Sequence, residues 1–263
     1  MSAEFEQARA ASMLPVGRVV IITGGGQGIG KVFAKSFAEA GAIPVIAEMN
    51  EENGNKVAEE IKAAGRQAMA IRTDVSDENS VAAMASAVEK EYGRIDGLIN
   101  NAGIFSNIKM MPFDQIPNDV WRKIIDVNLT GCFLTAKAVV GGMRRQGFGR
   151  IVNISSGAVT LGRPNYLHYT SSKAGLIGMT RSMARELGKD GITVNAILPG
   201  ATFTEIPRET ITEDGKKAIV AHQCIPRAQT PDDLVGAALF FASAASSFIT
   251  GQCLTVDGGA THT

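Results

Sequence analysis

Residues Val19-Val20-Ile21-Ile22, followed by Thr23-Gly24-Gly25-Gly26-Gln27-Gly28-Ile29-Gly30, leave this chain few ways to begin folding. Four β-prone apolar residues without polar alternation read as a strand buried on both faces. Four glycines among the next five residues after Thr23 stop that strand. From Ile29 the apolar spacing changes, and Ile29, Val32, Phe33, Phe37 and Ala40 share one face of a helix. The order is strand, glycine turn, helix. Such a turn lets backbone N–H groups approach a phosphate, and the helix N-terminus adds favourable partial positive charge.

Three phosphate-binding patterns compete for the turn. GxGxxG fails because Ile29 would stand at its last glycine. The triphosphatase loop GxxxxGK[ST] runs from Gly25 to Lys31 and then fails at Val32, where a hydroxyl must hold Mg²⁺. The pattern TGxxxGxG fits every position from Thr23 to Gly30.

The alternation continues along the chain. Apolar runs at 45–48, 67–73, 95–99, 151–154, 192–197 and 252–257 read as strands, with Pro44 tolerable only at the start of its run. Between them, helices are expected at 51–64, 77–91, 116–143 and 166–187. Thr230 should cap a last helix with Pro231 at its first position. Residues 201–229 hold Pro207, Gly215 and Pro226 without one dominant period, and read as a mobile loop with short helices that closes over a substrate. Strands alternating with helices predict a parallel sheet covered on both faces. The expectation is an N-terminal extension, 1–16, and a single doubly wound Rossmann-type α/β domain, 17–263, with a parallel, seven-stranded sheet. In such sheets a ligand sits beyond the carboxyl ends of the strands. Thr23-Gly24, Glu48, Asp74, Asn100-Asn101, Ser155-Ser156 and Pro199-Gly200 all follow strand ends and would form one rim.

Charge narrows the partners. Lys and Arg number 26, as do Asp and Glu, so no net field attracts nucleic acid or an anionic membrane. Cys132, Cys224 and Cys253 are odd in number, far apart and without CxxC spacing, which argues for thiols rather than disulfides or a metal site. Residues 1–17 lack the apolar core of a secretory signal, and the apolar run 237–249 is too short to span a bilayer. A cytoplasmic protein is expected.

Tyr169 and Lys173 are four apart on a predicted helix and share a face. A free phenol titrates near ~10, and a neighbouring ammonium favours the phenolate, bringing proton exchange closer to neutral pH. The helix starts beside the strand end that delivers Ser156, whose hydroxyl could hydrogen-bond a substrate oxygen.

With these residues in view, the chain resembles the short-chain dehydrogenase/reductase family from about Gly17 to Gly259. The turn matches at Thr23 to Gly30, NNAG at Asn100 to Gly103, the family's Asn at Asn128, YxxxK at Tyr169 to Lys173 and the PG turn at Pro199-Gly200. The family's Ser lies thirteen residues before its Tyr, which selects Ser156 over Ser155. The resemblance implies that Tyr169 is the acid/base and that Lys173 tunes it and holds the nicotinamide ribose. It also implies that Ser156 positions the substrate oxygen and that Asn128 holds a water relaying protons. It implies NAD bound by Gly24, Gly26, Gln27, Gly28, Ile29, Gly30, Glu48, Asp74, Val75, Asn101, Ala102, Gly103, Tyr169, Lys173, Pro199, Gly200, Thr202 and Thr204, with no metal. Position 202 is usually aliphatic in the family, so only its backbone role carries over. Glu48, at the end of the second strand and followed by uncharged Met49-Asn50, would read the adenosine ribose and disfavour a 2′-phosphate. A homotetramer or homodimer follows by the same analogy.

The expected activity is NAD(H)-dependent interconversion of a secondary alcohol and a ketone. The alternatives are an NADPH-dependent 3-oxoacyl-carrier reductase, a non-catalytic binding protein on the same fold, and a phosphate-loop hydrolase. Ile104 to Ser106, Gly157 to Tyr166 and the 201–229 loop should set specificity, for a neutral, partly apolar small molecule. Tyr166 reads as a pocket wall, Phe240-Phe241 and Trp121 as core, and His168, His222 and His262 as solvated or loop histidines.

Overall fold

The computed structural model describes residues 16–106, 108–207 and 212–262. Seven strands form one sheet: β1 (Val19–Thr23), β2 (Ile43–Glu48), β3 (Met69–Arg72), β4 (Gly97–Asn100), β5 (Gly149–Ile154), β6 (Ile192–Pro199) and β7 (Cys253–Val256). Every pairing is parallel, in the order β3-β2-β1-β4-β5-β6-β7. The helices are α1 (Gly28–Glu39), α2 (Glu51–Ala63), α3 (Glu78–Tyr92), α4 (Asn118–Gln146), α5 (Ala158–Leu161), α6 (Leu167–Leu187), α7 (Glu213–Ala221) and α8 (Asp232–Ala242). The strand order reverses beside β1, between β2 and β4, where an open α/β sheet leaves a crevice.

Successive strand residues point to opposite faces, and both faces are covered. Val20, Ile22, Ile46, Ile99, Val152 and Ile197 pack against Phe33 and Phe37 of α1, Val57 of α2 and Phe241 of α8. Val19, Ile21, Val45, Leu98, Ile151 and Val194 pack against Met84 and Val88 of α3, Met143 of α4 and Leu187 of α6. Two covered faces explain why the strands carry no polar alternation. Burying one side chain the size of Phe33 contributes roughly 1.5–3 kcal/mol.

Several local details depart from the sequence expectation. β2 begins at Ile43, so Pro44 is its second residue. β3 pairing starts only at Val45, so Pro44 has one strand neighbour where its missing N–H costs least. The Thr230 side chain does not cap α8. Asp233 instead accepts the Thr230 N–H at 2.8 Å, giving half of a capping box. His168 is neither solvated nor in a loop: it lies in the first turn of α6, fully buried, without a hydrogen-bond partner of good geometry at either ring nitrogen. Burial lowers its pKa, and the Tyr166 backbone opposes that shift. Phe241 is core, but Phe240 keeps 36% of its surface exposed, and Trp121 is half-buried. Within 201–229, residues 202–207 run to the glycine turn and α7 follows; residues 208–211 lie outside the described residues. So do residues 1–15 of the expected extension.

Helix α4 is continuous, yet Asp126–Thr130 forms a π turn inside it. By length and mean hydropathy (1.4) α4 could cross a membrane, but Ile124, Cys132, Ala136, Val139 and Met143 are buried inside the fold.

At the amino edge of the sheet two charges are buried: a carboxylate with a donor for each lone pair, and a cation held by backbone carbonyls. The Asp96 carboxylate accepts the Val19 N–H at 2.9 Å, Arg18 at 3.0 Å and both Arg94 Nε and a terminal Arg94 nitrogen at 2.8 and 2.6 Å. Its hydrogen bond to Arg94 raises the arginine's pKa. Arg150 is buried beside it and donates to the carbonyls of Ser243, Gly149 and Gly191. The Phe148 ring lies between the guanidinium groups of Arg18 and Arg150, 4.0 and 4.3 Å from its centre.

Candidate active site

At the opposite, carboxyl edge lies a cleft of about 1260 Å³. That exceeds an ordinary small-molecule pocket, so a dinucleotide and a small substrate fit together. One half is built by β1, the glycine turn and the ends of β2 to β4. Gly24, Gln27, Gly28, Ile29, Glu48, Asp74, Val75, Asn101, Ala102 and Gly103 line it. Gly26 and Gly30 do not line the cleft; they set its shape. A Cβ at Gly30 would overlap the Gly24 carbonyl oxygen and press on Asn101 Nδ2, so α1 can approach the turn this closely only without a side chain. A Cβ at Gly26 would lie 2.8 Å from Glu48 Cγ.

Hydrogen bonds hold this half together. Asn101 Nδ2 donates to the carbonyls of Thr23 and Gly24, and the Asn101 and Ala102 N–H groups donate to Thr23 Oγ1. Glu48 is nearly buried, and its two carboxylate oxygens accept the Gly26 and Asn50 N–H groups, each at 3.1 Å. Asp74 accepts both the backbone and side chain of Ser76, at 2.9 and 2.6 Å. Each Glu48 oxygen keeps a lone pair, and both Ser76 bonds fall on Asp74 Oδ1, so the Glu48 oxygens and Asp74 Oδ2 could accept cofactor hydroxyl or amino groups.

The other half rises from β5, β6 and α6. Ser156, Tyr169, Lys173, Pro199, Gly200, Thr202 and Thr204 line it. Lys173 is almost fully buried, its Nζ donating to the Ile154 carbonyl at 2.8 Å and lying 5.9 Å from the Tyr169 ring centre. Burial lowers its pKa, and the neighbouring Cys132 opposes that shift. The Cys132 thiol is itself pushed up by burial to about 11, with Lys173 pulling the other way. Ser156 Oγ accepts the Ala158 N–H at 3.1 Å, so its own proton is left to donate into the cleft. Ser155 instead turns inward and donates to the Lys173 carbonyl at 2.8 Å. Thr204 Oγ1 accepts the Ile206 N–H at 3.2 Å, and buried Thr202 lies against the Gly200 carbonyl.

Asn128 stands behind the cleft rather than lining it. Its Oδ1 accepts the Ile104 N–H at 2.7 Å, and its Nδ2 donates to the Ile104 carbonyl and to Ser172 Oγ, each at 3.2 Å. The side chain therefore clamps the loop after β4. A Cβ at Gly103 would lie 3.3 Å from Asn128 Oδ1 and 3.5 Å from Lys173 Nζ, so the three groups converge.

Phe105 packs on the site, its ring centre 4.8 Å from that of Tyr169 and 6.1 Å from that of Tyr166. Several charged residues at the cleft were not singled out from the sequence: Asp119, Arg122, Lys123 and Asp126 on α4, then Arg163 and Glu205. Arg163 lies on the cleft wall between α5 and α6. Glu205, immediately after Thr204, sends Oε1 across to accept the Gly28 N–H at 2.9 Å. An acid beside a residue expected at the cofactor was the only signal for it. This contact also tests the cofactor site. The N-terminus of α1 holds an anion here, as a pyrophosphate would require. With the close glycines and Glu48, these residues fit a nicotinamide dinucleotide.

The family model described as enoyl-(acyl carrier protein) reductase matches residues 24–261. The cis-4-hydroxycyclohexanecarboxylate dehydrogenase of Sinomonas cyclohexanicum is 38% identical over 93% of this chain and 96% of its own length. The chain belongs to the short-chain dehydrogenase/reductase family. The 3-oxoacyl-[acyl-carrier-protein] reductase of Vibrio cholerae is 35% identical over 92% of this chain and 97% of its own. A solved 7α-hydroxysteroid dehydrogenase, complexed with NADH and 7-oxo glycochenodeoxycholic acid, superposes with a TM-score of 0.90. It is 37% identical, covering 95% of this chain and 96% of that one. As a short-chain dehydrogenase/reductase, the protein is an oxidoreductase of alcohols and ketones, in a family whose dehydrogenases use nicotinamide cofactors.

Proposed function

We propose that this protein is a cytoplasmic, NAD(H)-dependent dehydrogenase that interconverts a secondary alcohol and a ketone, with Tyr169 as acid/base. The observation that carries this reading is convergence: Ser156, Tyr169 and Lys173 line the same cleft as the glycine turn and Glu48. Bound nicotinamide would supply or accept the hydride. Tyr169 would donate a proton from Oη to the carbonyl oxygen on reduction and take it back on oxidation. Ser156, with a lone pair already engaged by Ala158, would donate to the same oxygen and fix its position. Lys173 Nζ, with one proton committed to Ile154, would use the others to stabilise the Tyr169 phenolate and hold a ribose hydroxyl. Asn128, whose two amide protons are both engaged, would hold a relayed water through its backbone or the second Oδ1 lone pair. Gly24, Gln27, Gly28 and Ile29 would hold the pyrophosphate, Asp74 and Val75 the adenine, Asn101 to Gly103 the adenosine side, and Pro199 to Thr204 the nicotinamide amide.

Glu48 supports NAD over NADP. A carboxylate about 4 Å from a 2′-phosphate charge costs about 4 kcal/mol at an effective dielectric near 20, before screening. Two relatives act on hydroxyl or oxo groups of saturated rings, and the apolar walls at Ile104, Phe105 and Tyr166 support a ring alcohol here. The free thiols of Cys132, Cys224 and Cys253 support a reducing cytoplasm. Exposed Phe133 on α4 and Phe240, Phe248 and Leu254 around α8 and β7 support a homotetramer or homodimer, which light scattering would test.

The likeness to a carrier-protein reductase supplies a second reading, a 3-oxoacyl reductase using NADPH. NADH formation with a panel of cyclic secondary alcohols decides between them. Activity on free alcohols with NAD is expected. Activity confined to carrier-bound 3-oxoacyl chains with NADPH would replace the first reading with the second.

A further inference from the structure

Three segments wall the substrate half of the cleft: residues 104–106, 157–166 and 199–204. They contain one charged residue, Arg163. Arg163 is half-buried, and its guanidinium carbon stands 4.5 Å from the centre of the Tyr166 ring. Among the described residues no carboxylate lies within ion-pair distance of it. The four acids that line the cleft lie elsewhere: Glu48 and Asp74 follow β2 and β3 on the cofactor side, and Asp119 and Asp126 share α4 with Arg122 and Lys123. The α4 lip is thus charge-balanced, while the wall between α5 and α6 carries an unmatched cation.

Its geometry suits an anion. A guanidinium stacked on an aromatic ring is held by its face, and its N–H donors lie in the plane, at the edge, where a carboxylate can take two at once. Between Arg163 and Tyr169 the lining is apolar, formed by Tyr166, Phe105, Ile104 and Ala158. The 4.5 Å from the guanidinium to the Tyr166 ring and the 6.4 Å from that ring to the Tyr169 ring place the cation within about 11 Å of the Tyr169 ring centre. With a hydrogen bond of about 3 Å at each end, that sets an upper limit on the body between them of the order of one six-membered ring.

We infer that the substrate carries a carboxylate at the end remote from its reacting carbon, and that Arg163 binds it. This rests on the Tyr169 reading above and replaces the neutral molecule expected from sequence. The inference makes Arg163 a specificity-determining residue, with no part in proton or hydride transfer.

The test uses two unreactive probes of equal shape, cyclohexanecarboxylate and cyclohexanecarboxamide, titrated by calorimetry into the protein saturated with NADH. The carboxylate should bind at least tenfold more tightly than the amide. Arg163→Gln should shrink that ratio to less than threefold, and Arg163→Lys should restore part of it, because a point charge replaces a fork. A ratio near one in the unmodified protein, or an unchanged ratio in Arg163→Gln, overturns the inference. If the glutamine variant does not fold, the ratio in the unmodified protein and in Arg163→Lys still decides between binding of the anion and indifference to it. Tyr169→Phe separates the two readings, since it should keep the tenfold ratio while losing turnover. A tenfold ratio in a protein that oxidises no alcohol leaves the anion site standing and removes the dehydrogenase. Turnover of neutral alcohols with a ratio near one does the reverse.

Discussion

The two edges of one sheet handle buried charge in opposite ways. At the amino edge, Asp96 is 1% exposed and every lone pair facing the protein has a donor, while Arg150 spends its guanidinium on three carbonyls. At the carboxyl edge, Lys173 is similarly buried but gives one hydrogen bond to a carbonyl, and Arg163 has no carboxylate partner among the described residues. A buried charge with all its partners is part of the scaffold. One with valences left over is waiting for something that the chain does not contain.

That contrast predicts which substitutions cost stability and which cost activity. The largest effect should come at the closed edge. Asp96→Ala strips the acceptor from two arginines and the buried Val19 N–H, and should lower unfolding free energy by about 3 kcal/mol. Chemical denaturation measures it, with kcat of the remaining folded protein near normal; a loss of kcat with unchanged stability would erase the distinction. Tyr169→Phe is its mirror at the open edge. Turnover should fall about a hundredfold or more with thermal stability and NADH affinity retained. A variant keeping more than roughly a tenth of the rate would remove Tyr169 from proton transfer.

Smaller effects sharpen the picture. Glu48→Ala with Met49→Arg should erase or reverse an NAD preference of about tenfold in kcat/KM, read from steady-state rates with both cofactors. Parity in the unmodified protein would mean that Glu48 serves only the Gly26 and Asn50 N–H groups. The open edge also has a matched pair, the Arg227–Asp233 fork, which holds the aspartate pKa at about 2, below its ordinary 3.8. Its contribution is present above pH 3.8 and lost as pH falls toward 2. Asp233→Asn should cost about 1 kcal/mol at pH 7, given the screened guanidinium, and only a small fraction of that near pH 2. Denaturation at the two pH values checks this. The smallest effect concerns Glu205, which holds the Gly28 N–H that a pyrophosphate needs. Glu205→Gln should tighten NADH binding about threefold in a fluorescence titration. Weaker binding would show that the carboxylate helps to hold the turn open for the cofactor.

The sheet could be read from the sequence because it rests on local signals. Apolar runs of β-branched residues, glycines at strand ends and helical spacing between them specify a covered parallel sheet with little ambiguity. The open-edge residues sit at strand termini, so Glu48, Asp74, Ser156 and Pro199 fell into place with it. What stayed hidden depends on how side chains share partners across the chain. His168 has the composition of a surface residue, and only packing buries it. Asp233, three residues after Thr230, took over the capping expected of the threonine. Arg163 lay inside a segment already expected to set specificity, but one cation among nine other residues leaves no pattern that singles it out.

The π turn at Asp126–Thr130 has a consequence of another kind. The buried positions Ile124, Asn128, Cys132 and Ala136 recur every four residues, whereas an α-helix repeats every 3.6. Across the turn, from Ile124 to Cys132, a regular helix would drift by about 80 degrees, far enough to take one of the two off the buried face. The widened turn absorbs that drift like a vernier. A single-residue deletion there would restore a regular helix with both halves of α4 still in step, yet would displace Asn128 and release the Ile104 loop from its clamp.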